Sequence, residues 1–84
     1  MLRFNKKKKY VERTPELVDM TVKNLTAEIL KYSKGSIPED IAENMAYRCV
    51  AKLDFNNKFH MHRSLSDYAI GMVDNYMQRN KQIL

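Results

Sequence analysis

The sequence predicts an all-α fold, a small three-helix bundle behind a flexible basic N-terminal arm. Three observations predict it. Gly and Pro number only two each in 84 residues, too few for the turns of a β-sandwich. Apolar residues recur at helical spacing in three separate stretches. The formal charge of +5 is gathered at one end: residues 1–13 hold six Lys/Arg against Glu12 alone, which leaves residues 14–84 neutral. The chain therefore divides into a basic arm over 1–13 and a helical body over 14–84.

Length and composition bound the rest. A chain this short buries roughly 60–65% of the surface that its unfolded form exposes, so its stability is modest unless it self-associates. With 44% hydrophobic and 30% charged residues it has the makeup of a folded chain and not of a disordered one. A single cysteine, Cys49, excludes an internal disulfide and any need for an oxidising compartment. No apolar segment follows the lysines as in a secretory signal, and none approaches the ~20 residues that span a bilayer. These features predict a cytoplasmic protein.

The first helix is expected over about 15–34. Thr14 has the hydroxyl of a good N-cap, Pro15 falls at the first helical position, and Glu16 faces the positive helix end. Val18, Val22, Leu25, Ile29 and Tyr32 then form a stripe widened by Leu17 and Leu30, with Asp19–Lys23 and Glu28–Lys31 as surface pairs. Gly35 stops it. A second helix is expected over about 37–53. Ser36-Ile37-Pro38-Glu39 has the spacing of a capping box, Ile41, Met45, Cys49 and Leu53 form one row, and Ala42, Ala46 and Val50 run beside it. Residues 54–63 break the pattern and read as a loop pinned by Phe55 and Phe59, with turn chemistry at Asn56-Asn57. Ser64 and Asp67 then open a third helix over about 65–79, with Leu65, Tyr68, Ala69, Met72, Val73 and Tyr76 on its apolar face. Gly71 costs this helix roughly 1 kcal/mol against Ala, and a close helix crossing would explain it.

The residues that point to a partner are cationic. Arg3, Lys6, Lys7, Lys8, Lys9 and Arg13 can neutralise several phosphates, and Phe4 and Tyr10 beside them can stack on unpaired bases. Lys58, His60, His62 and Arg63 make the loop locally basic and extend the footprint if they lie on the arm's side. A membrane surface ranks low as a partner: position 2 is Leu, so no myristoylation signal is present, and one weak anchor is marginal. His60-x-His62 lacks the paired ligand spacing of a structural zinc site, so no metal or other cofactor is expected. Ser64, Ser66, His60 and Asp67 include the residue types of a nucleophile triad, yet helix capping accounts for the serines and the aspartate. Helix 2 begins with three acids within six residues, Glu39, Asp40 and Glu43, which would repel phosphates and disfavours a helix-turn-helix reader. Met20, Met77 and Ile70 lie off the main stripes and suggest a docking or dimer surface on the first and last helices.

The expected function is non-enzymatic. The body docks on a protein partner or on a second copy, while the arm engages nucleic acid without base specificity. The alternative is a pure protein–protein adaptor or inhibitor whose arm meets an acidic surface or only aids solubility.

Overall fold

The computed structural model describes the backbone of residues 10–83 and the side chains of residues 10–80. The described part is all-helical: α1 (Pro15–Ser33), α2 (Glu39–Lys52), α3 (Lys58–His62) and α4 (Leu65–Ile83). Residues 1–9, which carry most of the expected arm, lie outside the described residues.

α1 begins where its capping chemistry dictates. Thr14 Oγ1 accepts from the Leu17 N–H at 3.1 Å, and Pro15 follows at the first helical position. It ends at Lys34, which takes a left-handed conformation at φ 55°, followed by Gly35 at φ 83°. Glycine adopts that second position without the Cβ clash that any other residue meets there.

The start of α2 differs from the expected capping box. Pro38 is the N-cap and offers no side chain, while the Ser36 hydroxyl donates back to the Ser33 carbonyl at 2.7 Å. Ser36 is still inside the turn that leaves α1, so it stands two residues too early to cap α2. Ile37 anchors the junction instead. It is buried at the position before the cap, and Ala42, four residues into the helix, shares its core, the placement of a hydrophobic staple. The box expected at α4 does form: the Asp67 N–H donates to Ser64 Oγ at 3.1 Å and the Ser64 N–H to Asp67 Oδ2 at 3.4 Å.

Packing radiates from α1. Val22, Leu25 and Ile29 join Ala42, Ala46, Val50 and Leu53 of the α2 segment and Ala69 and Val73 of α4 in one core. α1 packs closely against both α2 and α4, whereas α2 and α4 barely meet each other. The principal buried row of α2 is thus the Ala42-Ala46-Val50 row. Ile41, Met45 and Cys49 of the neighbouring row are left exposed or half-buried. α4 repeats the arrangement, with Ala69 and Val73 inside and Tyr68, Met72 and Tyr76 half-buried beside them.

The connection expected as a loop contains the five-residue α3, and α4 runs past the expected end at 79. Gly71 is exposed within α4, and a Cβ built there meets no atom within 4 Å, so no helix crossing explains it. Gly71→Ala should therefore stabilise the fold by about 1 kcal/mol, raising the thermal midpoint by roughly 4–8 °C in a calorimetric scan.

Candidate functional site: a cationic groove and the root of the arm

The segment that enters α1 is held by the far end of α2. Arg13 aims its guanidinium at the last carbonyls of that helix, donating from Nη1 to Leu53 O and from Nη2 to Val50 O, both at 2.8 Å. These carbonyls lie at the negative dipole end of α2, where Val50 O also accepts from the Leu53 N–H at 3.0 Å, so a fixed cation there is favourable. The same guanidinium lies over the Phe55 ring at 5.3 Å from its centroid. Two residues earlier, Val11 and Asn56 pair reciprocally. The Val11 N–H donates to Asn56 Oδ1 at 2.8 Å and Asn56 Nδ2 donates to Val11 O at 3.0 Å. Tyr10–Arg13, grouped with the arm in the sequence, are thus its root: Val11 and Arg13 are bonded to the body, while Tyr10 is exposed.

The 54–63 connection is ordered by its own polar side chains. Asp54 Oδ1 accepts from the Asn56 N–H at 2.9 Å, and Asn57 Oδ1 caps α3 by accepting from the Phe59 and His60 N–H groups. His60 Nδ1 accepts from the Asp54 N–H at 3.0 Å, which requires that nitrogen to be unprotonated. Tyr68 clamps the unit to α4 by donating its hydroxyl to the His60 carbonyl at 2.8 Å, and Arg63 lies over the same ring at 5.5 Å. His60 and His62 stand two apart on a helical turn, where side chains do not face one another. Among the described residues no cluster of three metal-ligating side chains forms. Ser64 Oγ is held in the α4 cap, and Ser66 Oγ donates to Glu28 Oε1 at 3.0 Å, so neither serine is paired with an imidazole.

Sequence reasoning missed a concave feature between α2 and α4. Because α2 and α4 each turn only one apolar row toward α1, their second rows face a groove of about 810 Å³ between them. Leu53 and the half-buried Met45, Tyr68 and Met72 form its floor; the exposed Arg48, Lys52, Arg63 and Arg79 stand at its edges. Asn44 and Asn75 add amide groups, Phe59 stands 78% exposed at α3, and no Asp or Glu lines it. No residue of α1 lines it either. The signal was present as two adjacent apolar rows on α2, one more than a single neighbour can cover.

Cys49 lies half-buried in this groove. Loss of hydration on burial raises its thiol above the ordinary value, and nearby Lys52 opposes that shift. The expected docking surface on α1 and α4 is less coherent: Met20 and Ile70 are exposed, but Met77 packs against the core.

No helix among the described residues is long and apolar enough to cross a membrane. No protein-family model matches the chain, and no curated protein or solved structure is similar enough to count as a match.

Two measurements check the site's construction. Arg13→Ala should cost about 1–3 kcal/mol in urea unfolding through loss of its two charge-assisted bonds, whereas Glu12→Ala at the exposed neighbour should stay within about 0.5 kcal/mol. Alkylation of Cys49 by iodoacetamide should be slower near neutral pH than that of a free thiol of ordinary acidity. Its rate should keep climbing into more alkaline buffer, because only the thiolate reacts and burial postpones its formation.

Proposed function

We propose that this is a non-enzymatic binding protein that engages nucleic-acid backbones through its basic N-terminal segment and docks a protein partner on its helical body. The observation that carries the first half is the Val11–Asn56 pair. It fixes the root of the lysine-rich segment beside α3, only two residues from Lys58 in sequence. Lys58, His62 and Arg63 are all exposed. Arg3, Lys6, Lys7, Lys8 and Lys9 precede Tyr10 in the sequence, and the segment that follows them joins the body at Val11, beside the connection that bears Lys58. Phosphate contacts need charge and reach but no base-reading helix, which accords with the acidic start of α2.

Arg13 and His60 contribute differently from the others. The Arg13 fork is committed to Val50 and Leu53, and His60 Nδ1 to Asp54, so both act as braces behind the contact surface. The non-enzymatic reading rests on the serines and Asp67, whose polar atoms are spent on helix caps and on Glu28. The groove between α2 and α4 supports the docking half.

The test is a salt titration by fluorescence anisotropy with labelled duplex DNA, single-stranded DNA and RNA. The full chain is compared with a variant carrying Lys→Gln at positions 6, 7, 8 and 9. The wild type should bind with a log–log salt slope that the variant flattens by up to about 3 to 4, at roughly 0.7–0.9 per phosphate contact. Equal binding by both proteins, or no binding by either at low salt, overturns the nucleic-acid half and leaves a protein adaptor.

A further inference from the structure

We infer that the groove between α2 and α4 receives an amphipathic α-helix from a protein partner, apolar on one face and bordered by Asp and Glu. The inference deepens the docking half of the proposed function and rests on it. Three features of the groove select this occupant.

Its dimensions come first. The lining runs from Ile41 to Lys52 on α2 and from Tyr68 to Arg79 on α4. Each stretch follows about 16 Å of helix, so a guest of about three turns matches it. A helix laid there packs against two helices at once and supplies the fourth long element of a bundle whose other three are already in place.

The floor comes second. Met45, Met72 and Leu53 are aliphatic and adaptable, suited to Leu, Ile or Met side chains of varied shape. A nucleic-acid strand can stack bases on Phe59, Tyr68 and Tyr76 of the same lining, but it offers no aliphatic partner to Met45, Leu53 and Met72.

Charge comes third. Arg48, Lys52, Arg63 and Arg79 stand at the edges with no carboxylate in the lining. Among the described residues the one ion pair is Lys31–Glu28 at 4.0 Å, away on α1. An acidic-flanked helix meets these cations on both sides. A second copy of this chain, related by a two-fold axis and seated groove to groove, would set the same cations against one another, and the chain's own segment over residues 1–9 is itself cationic.

The test uses a labelled synthetic helix of about 14 residues with Leu at every third or fourth position and Glu on the flanks. Its partner probe carries Lys in place of each Glu. The full-length chain should bind the Glu peptide and not the Lys peptide. Amide shifts in a two-dimensional NMR titration should fall on Met45, Arg48, Met72 and Arg79, and bound peptide should slow thiol labelling of Cys49.

The double variant R48E/R79E changes only exposed side chains, and circular dichroism verifies its fold. It should bind the Glu peptide about tenfold more weakly or worse. Equal binding of the two peptides, shifts confined to other surfaces, or an oligothymidine that displaces the peptide from the same amides overturns the proposal. The variant with Lys6–Lys9 changed to Gln separates the two readings. It should lose nucleic acid and keep the peptide; loss of the peptide as well assigns that binding to the lysines and overturns the groove.

Discussion

Leu25 and Ile29, both completely buried on α1, are the contact on which the rest of this structure depends. The described body has three long helices, and only α1 packs closely against the other two. Burying a side chain of this size is worth roughly 1.5–3 kcal/mol, and in a body this small two such residues are a large share of the net stability. Their position also decides the geometry elsewhere. Ala42 and Ala46 let α2 lie close to this row, and Ala69 does the same for α4. With both flanking helices drawn onto α1 by small residues, the larger ones beside them are left facing each other across open space.

The groove is therefore a consequence of how the core is made, and it accounts for the two apolar rows that stand side by side on α2. The sequence shows two adjacent rows at i, i+4 spacing, Ile41-Met45-Cys49 and Ala42-Ala46-Val50. Side-chain size favours the first as core. Proximity to α1 favours the second, and that preference belongs to the partner helix, so α2 read alone does not contain it. Start and stop signals were legible because they are local. Thr14, Pro15 and Gly35 bound α1, and Ser64 with Asp67 opens α4, all through backbone groups within a few residues. α3 was not legible for the opposite reason. Five residues are too few to show a period, and this helix exists because Asn57 caps it and Tyr68 reaches across to hold the His60 carbonyl.

Arg13 shows the same division between what composition reveals and what geometry decides. Counted with its neighbours it is one more cation of a basic segment. In the fold it is the residue that turns that segment onto the body, through carbonyls that belong to α2 and are some forty positions away. Phe55, expected to pin the loop, does so partly by receiving the same guanidinium on its ring face. Without Arg13 the segment entering α1 would lack this attachment and would rest on the Val11–Asn56 pair.

Neutrality of residues 14–84 is the last point at which a count conceals an arrangement. Asp19, Asp40 and Glu43 line a hollow between α1 and α2, and Arg13 is the one Lys or Arg there. Arg48, Lys52, Arg63 and Arg79 line the groove between α2 and α4 with no acid among them. On α2 the sorting follows from the helix itself: Glu39, Asp40 and Glu43 stand in the opening turns and Lys52 in the last, as its dipole favours. The body therefore sums to zero while presenting an acidic hollow on one side and a cationic groove on another. Screening at physiological salt acts over about 8 Å, so the field felt inside either hollow is set by its own lining and hardly at all by the sum. For a surface so divided, the useful quantity is the charge of each concavity, and by that measure the groove is a cationic site on a neutral body.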